Sequence, residues 1–333
     1  MARKSSATKS CKQEACSLIN ADKINPQPEK TLTRYHLMIL QAGKDDISSG
    51  LFDQVQNLLD RTIDTTPNET IIDVWLDSPG GIADAVYKLV LELRNRCVKL
   101  RTVISDYAKS AATLLALGTD EIFMAPAAEL GPLDVQVGHP DREGVRISGL
   151  DVRDSLASLG RTAIDLVVQG GATIISYTGL PRHEVLHETL QFMAQFLQPV
   201  MSKLDPHLLH QAESQIKIAE HYALRMLRAR NITEDKYINE DRARALLRHL
   251  VHDYPAHGFV IGRDEALELG LPIQNAECYD RWQEVRALYM MFRQKNQTII
   301  DVCRDTDLDK NITEEETDNG SDTAEEANTD NKG

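Results

Sequence analysis

Ile71-Ile72-Asp73-Val74-Trp75-Leu76-Asp77-Ser78-Pro79-Gly80-Gly81 is the stretch that decides the fold. Its first half is β-branched and apolar, the composition of a buried strand. It stops abruptly in Ser-Pro-Gly-Gly, and Val86, Leu89, Val90 and Leu93 then recur at helical spacing. Two glycines at such a junction allow positive φ or a close backbone approach.

A second junction follows. Leu100-Arg101-Thr102-Val103-Ile104 reads as a short buried strand. After it come Ser105-Asp106-Tyr107-Ala108-Lys109-Ser110-Ala111-Ala112-Thr113 and the small, apolar helix that ends at Gly118. From Gly81 to Ser110 is 29 residues, room for one helix and one strand. Successive strand-turn-helix units in a right-handed parallel arrangement bring their turns side by side at the C-terminal edge of the sheet. A serine at such a turn has two readings. It is either a helix N-cap or a hydroxyl nucleophile beside backbone N–H groups that have no partner inside the helix and can hold an oxyanion. The N–H groups of Gly81 and Ala111 would then point at one substrate carbonyl.

Three segments together, Asp77-Ser-Pro-Gly-Gly81, Ala108-Lys-Ser-Ala-Ala-Thr113 and Ala128-Glu-Leu-Gly-Pro-Leu-Asp134, resemble the Clp-protease and signal-peptide-peptidase clan of serine proteases. The nearest likeness is to the serine dehydrogenase proteinase family, over about residues 35–271. The resemblance implies a crotonase-like (Clp-protease-like) α/β fold and a peptidase. It also implies Ser110 as nucleophile and the Gly81 and Ala111 N–H groups as the oxyanion hole.

A serine hydroxyl needs a base within hydrogen-bond reach. The signal-peptide-peptidase branch uses a lysine some tens of residues further on, and this chain has no lysine between Lys109 and Lys203. Lys109 itself is a poor base, because neighbours around a tight turn point apart. In Clp proteases a histidine follows the next short strand, a place that falls near Leu133-Asp134 here. The serine dehydrogenase proteinases are similar in having the order Ser, Asp, His, which implies Asp134 as acid and His257, in Ala256-His257-Gly258-Phe259, as base. His139 is the second candidate base. Either histidine, and Asp134, can equally serve as a turn or cap residue. The seven histidines between His183 and His252 sit on polar helices and read as solvated or capping groups.

The remaining pattern is βαβαβαβ, a parallel sheet with covering helices. Tyr35–Leu40 reads as the first strand, Ser48 or Ser49 as the cap of the helix carrying Leu51, Val55 and Leu59, and Glu121–Met124 as a short buried strand. Gly170-Gly171 reads as a helix break, and Pro199 and Pro206 as dividers of the helical stretch 182–230. Residues 1–31 read as a mobile arm, 32–300 as the protease domain with a helical C-terminal portion, and 301–333 as an acidic disordered tail.

Charge narrows the function classes. The formal charge is −14, but residues 301–333 hold 12 Asp and Glu against 3 Lys and Arg. The rest is close to balanced, which argues against a nucleic-acid surface. Five cysteines without CxxC spacing indicate neither a disulfide framework nor a zinc site. No signal peptide and no apolar run of roughly 18 residues is evident, so a cytoplasmic protein with no membrane partner is expected. No cofactor is implied, and no GxGxxG follows either strand, against dinucleotide binding.

The expected partners are a peptide or protein substrate and, as the resemblance implies, other copies in a homo-oligomer. No ATPase motif is present, so any unfolding of substrates falls to a separate unfoldase or adaptor. The alternative function is a non-proteolytic crotonase-like scaffold that uses the same paired turns to bind an acyl-CoA or a partner protein.

Overall fold

A computed structural model describes residues 32–308 except 44, 140–141, 143–145, 230–239 and 255–257. The expected N-terminal arm, most of the acidic tail and the candidate base His257 lie outside the described residues. The chain divides into two compact units, one of residues up to Leu130 and from Ile261 onward, the other Gly131–Val260.

The first unit is built on strands β1 (Thr33–Leu40), β2 (Thr70–Ser78), β3 (Lys99–Ala108) and β4 (Glu121–Met124), with helices α1 (Ser49–Thr62), α2 (Ala83–Arg96) and α3 (Ala111–Leu117) in the crossovers. All four strands run parallel in sequence order. The reason is in the residues. β1 to β4 each carry an apolar run, at residues 37–40, 74–76, 103–104 and 122–124, that is buried as a helix-covered parallel sheet requires. Each helix shows one apolar stripe, such as Val86, Leu89, Val90 and Leu93 on α2, and these side chains are buried. Ser48 supplies the cap of α1, its Oγ accepting from the Leu51 N–H.

β5 (Glu129–Leu130) extends β3 in parallel, and the returning chain adds β8 (Ile261–Gly262) antiparallel to β5 and β9 (Ile273–Asn275) parallel to β4. A mixed α/β architecture with a mainly parallel, helix-flanked sheet is therefore present as expected. One strand departs from the sequence reading. β10 (Ile299–Arg304) pairs antiparallel with β1 from Tyr35↔Arg304 to Leu40↔Ile299, across the expected 300/301 boundary. Beyond it, Asp305 accepts from Arg281 at 2.9 Å and Leu308 is fully buried. The folded part thus reaches Leu308 and not residue 300, because an apolar strand paired to β1 and a buried leucine hold it there.

A polar network is buried on this sheet. Asp73 of β2, fully buried, accepts from Arg101 Nε at 2.5 Å and Tyr279 Oη at 2.7 Å, and pairs with Arg34 Nε at 2.9 Å. Tyr279 in turn accepts from the Trp75 indole N–H at 3.1 Å. A buried carboxylate is tolerated only with such compensation. His36 beside it is held by burial below the ordinary imidazole range, despite Asp73 and Asp305 nearby.

In the second unit, β6 (Gln136–Gly138) and β7 (Arg146–Ser148) form a short antiparallel pair. Helices α4 (Gly149–Thr178), α5 (Arg182–Met201), α6 (Pro206–Ala229) and α7 (Glu240–Arg248) follow. α7 closes in a wide turn at His249–Asp253. The stretch 182–230 divides into two helices as expected, with Pro199 in the last turn of α5 and Pro206 opening α6. One sequence expectation is corrected here. Gly170-Gly171 does not break α4; Gly171 is where α5 approaches, with Val185 and Thr189 at van der Waals distance from the space a Cβ would take. The end signal is Gly179 in the left-handed region at φ 67°, followed by Pro181.

Candidate active site

The two turns singled out in the sequence meet. β2 and β3 are in parallel register to Ser78↔Ala108, and the Lys109 N–H donates to Ser78 O at 3.0 Å just past the strand ends. Gly80, at φ 107°, sits so close that a Cβ there would lie 2.6 Å from Lys109 O and 3.0 Å from both Ala111 N and Ser110 Cβ. Only a glycine backbone fits between the double-glycine turn and the serine turn. Ser78 holds the first turn in shape: its Oγ accepts from the Gly80 N–H at 3.1 Å and donates to Gln41 Oε1. On the far side, Ile47 N donates to Gly80 O at 2.7 Å and Ile82 N to Ile47 O at 2.8 Å.

Ser110 stands at the start of α3 with φ 49° and ψ −117°. Among the described residues only Ser110 and Asn296 are non-glycines with positive φ. Asn296 merely ends the helix α8 (Trp282–Lys295) in a left-handed cap, a role asparagine fills readily. Ser110 has no such excuse. It occupies the N-cap position, but its hydroxyl makes no capping hydrogen bond, so the simple cap reading does not describe it. Strained backbone of this kind at a strand-to-helix turn presents a side chain away from the helix it precedes. Among the described residues no acceptor takes the N–H of Gly81 or Ala111. Lys109 turns to Glu129, with Nζ at 2.6 Å from Oε2 and 3.3 Å from Leu130 O.

The other sequence candidates fall in the second unit. Asp134 is buried, and its Oδ1 accepts from the Leu150 N–H at 3.4 Å at the start of α4. The cap of α4 itself is Ser148, whose Oγ accepts from the Asp151 N–H at 3.1 Å. His139 is half-buried at the end of β6. A cleft of about 430 Å³ in this unit is lined by Asp134, Asp151, Asp154, Arg161, His252 and Tyr254, among others. His252 there is engaged on both nitrogens, by Glu220 at 2.7 Å and Arg153 at 3.0 Å.

One group near the serine turn carries a chemical signal that the sequence reading passed over. Asp77 ends the apolar part of β2, and its carboxyl is fully buried; among the described residues neither oxygen makes a well-formed hydrogen bond, and only the Tyr107 backbone N–H lies near enough to favour its charged form by hydrogen bonding. Burial, reinforced by the charge of Asp106 and opposed by Arg293, pushes it up to about 7. Asp106 accepts from Tyr289 Oη at 2.7 Å and lies 3.7 Å from Arg293 Nη1. An acid one residue before Ser-Pro-Gly-Gly inside a buried strand was the available clue.

A carboxyl raised in the fold is kept protonated while its unfolded counterpart ionises. Its stabilisation is therefore present below pH ~4 and is lost as pH rises to about 7, by up to ~1.4 kcal/mol per unit in that window. We expect urea unfolding of Asp77→Asn to show a flatter decline between pH 4.5 and 7.5 than wild type. Parallel profiles would show that Asp77 ionises normally.

The family described as ClpP-like SDH-type serine proteinase matches residues 52–147, which carry the parallel strands β2 to β4 and both turns, so this segment is similar to that family. Among curated proteins, the uncharacterized protein MJ1495 of Methanocaldococcus jannaschii is 40% identical over 78 residues, 23% of this chain and 27% of its own length. MJ0137 of the same organism is 32% identical over 115 residues, 32% of this chain and 40% of its own. The membrane-bound protease PH1510 of Pyrococcus horikoshii is 36% identical over 93 residues, 26% of this chain and 20% of its own. The matches span two fifths or less of each of these relatives.

Two mutants of the 1510-N membrane-bound stomatin-specific protease, the second in complex with a substrate peptide, align at 20% and 21% identity with TM-score 0.29. They cover 47% of this chain and 69% and 65% of theirs. Among the described residues no helix is long and apolar enough to cross a membrane.

Proposed function

We propose that this chain is a serine peptidase. Ser110 attacks the peptide carbonyl to form an acyl-enzyme, and the N–H groups of Gly81 and Ala111 hold the developing oxyanion. The observation that carries the proposal is the Ser110 turn, strained at φ 49°, without a capping bond and packed on Gly80. Strain is retained where the surrounding structure enforces it, and here two hydrogen-bonded turns do so. The base is assigned from the resemblance to His257, with Asp134 as acid and His139 as the second candidate base. The same proposal takes the protein as acting without ATP of its own on peptide or unfolded substrates supplied by a separate unfoldase or adaptor. It places the protein in the cytoplasm as a homo-oligomer.

The test is active-site labelling. A fluorophosphonate should form one covalent adduct, mapped by mass spectrometry to Ser110. His257→Ala should slow its formation by roughly 10²–10⁴-fold, the usual contribution of a positioned acid–base group. Slowing by His139→Ala alone would move the base to that residue. No adduct at all, together with saturable binding of a CoA thioester, would replace the peptidase by a crotonase-like binding scaffold.

A further inference from the structure

Gln41 is the residue just past β1, and it is buried. It grips the end of β2 at two consecutive residues. Its backbone N–H donates to Asp77 O at 2.8 Å, and its side-chain Oε1 accepts from the Ser78 hydroxyl. The chain is fastened again one residue further on. There the Ala42 N–H donates to Thr298 Oγ1 at 2.9 Å, and Thr298 Oγ1 donates to Asp45.

The bond to Ser78 has a direction. A serine hydroxyl carries one proton and two lone pairs, whereas a carboxamide oxygen only accepts. Gln41 Oε1 therefore takes the Ser78 proton, and an Oγ lone pair is left for the Gly80 N–H at 3.1 Å. Gln41, Ser78 and Gly80 are all buried, and hydrogen bonds in series strengthen one another away from water.

Peptide planarity carries this order to the next residue. The Gly80 N–H belongs to the Pro79–Gly80 peptide, which Ser78 pins. The Gly81 N–H belongs to the Gly80–Gly81 peptide, whose carbonyl accepts from Ile47 N at 2.7 Å. A trans peptide points its N–H opposite to its C=O, so the Gly81 N–H faces away from Ile47. Gly80 and Gly81, at φ 107° and 149°, have no Cβ to resist rotation of the plane between them. The bonds on either side are what keep that N–H aimed.

We propose that Gln41 is a positioning residue for the reaction: through the Ser78 hydroxyl it fixes the Gly80–Gly81 peptide so that the Gly81 N–H meets the substrate carbonyl oxygen. It touches no reacting atom. β1, which ends beside it, lies on the opposite side of β2 from β3 and the serine turn. The inference rests on the peptidase reading given above and adds to it the support of one oxyanion donor.

The test is the rate of fluorophosphonate labelling of the full chain, followed over a range of probe concentrations so that probe binding and the chemical step separate. Gln41→Met keeps the length of the side chain and loses the acceptor. It should slow the chemical step on the order of 10²-fold, the effect of a misplacement of about 1 Å at a reacting centre. The half-saturating probe concentration should stay as in wild type. Gln41→Glu keeps an oxygen for the Ser78 proton and should restore most of the rate. Ser78→Ala should slow the step as Gln41→Met does, and the double variant no further, because two residues acting through one bond are not additive. If Gln41→Met does not fold, Gln41→Asn, one carbon shorter, takes its place. Hydrogen exchange of the Gly80 amide is a readout apart from activity, and its protection should fall in the same variants.

Gln41→Met that labels at the wild-type rate, or keeps its Gly80 protection, overturns the inference and leaves the peptidase reading standing. Equal losses in Gln41→Met and Gln41→Glu overturn it too, since they would make Gln41 a packing residue. Additive losses in the double variant would mean that Gln41 does not act through Ser78. A wild type that is never labelled removes the peptidase reading itself, and this inference with it.

Discussion

Ser110→Ala is expected to reduce fluorophosphonate labelling roughly 10⁶-fold, the order by which removing the nucleophile of a triad lowers turnover, while the chain still folds. The hydroxyl is the only atom removed, and it makes no capping bond that α3 needs. What holds α3 is burial: every side chain from Ala111 to Leu117 is buried. Alanine inherits the strained backbone at φ 49°, so its stability should stay close to wild type. Ser110→Gly separates the two roles. Glycine relieves a strain of about 1–3 kcal/mol, so its melting temperature should rise while labelling is lost as fully as in alanine. An adduct that persists on Ser110→Ala would remove Ser110 as the nucleophile. A melting temperature unchanged in Ser110→Gly would show that the turn is not strained in solution.

Gly81→Ala should damage both folding and chemistry. Gly81 has φ 149°, and a Cβ there would press on the backbone of Ile47, 2.5 Å from its N and closer still to its O. Both atoms are committed, N to Gly80 O and O to the Ile82 N–H. Backbone so tied cannot yield as a flexible side chain would, so either these bonds break or the turn moves. The first outcome costs on the order of 2–4 kcal/mol, two hydrogen bonds and a strained φ together. The second displaces the Gly81 N–H, and losing one oxyanion donor lowers the acylation rate by about 10²–10³-fold. Labelling kinetics and thermal unfolding of Gly81→Ala, with Gly138→Ala as a control where a Cβ meets nothing within 4 Å, check both. Wild-type labelling in a folded Gly81→Ala would mean that the N–H of residue 81 does not serve the oxyanion.

Much of the first unit was legible because parallel sheets write themselves into sequence. β2, α2, β3, α3 and β4 are each a single apolar period bounded by a turn signal, and all are local. The meeting of the Gly80-Gly81 and Ser110 turns also followed from local information. Consecutive parallel strands with right-handed crossovers leave little freedom at their C-terminal ends. Asp77 was less legible. Its residue type is visible, but the state of a carboxyl depends on what buries it, and Asp106, Tyr289 and Arg293 arrive from 29 to 216 residues further along.

By itself the sequence determined the order and type of the elements around the two turns and the identity of the serine between them. These depend on periodicity, on glycine's freedom at positive φ and on short crossovers, all of which act over a few residues. Tertiary structure alone decided three other things. Residues 299–304 became a strand only because β1 offered an open edge to pair with. Gly170-Gly171 stayed helical because α5 packs where side chains are missing. And Ser110 was prevented from acting as an ordinary cap because two neighbouring turns, fastened through Ser78, Gly80 and Ile47, hold its backbone where no isolated helix start would place it. In each case the deciding contact joins residues distant in the chain or in different elements, and local propensity carries no record of such contacts.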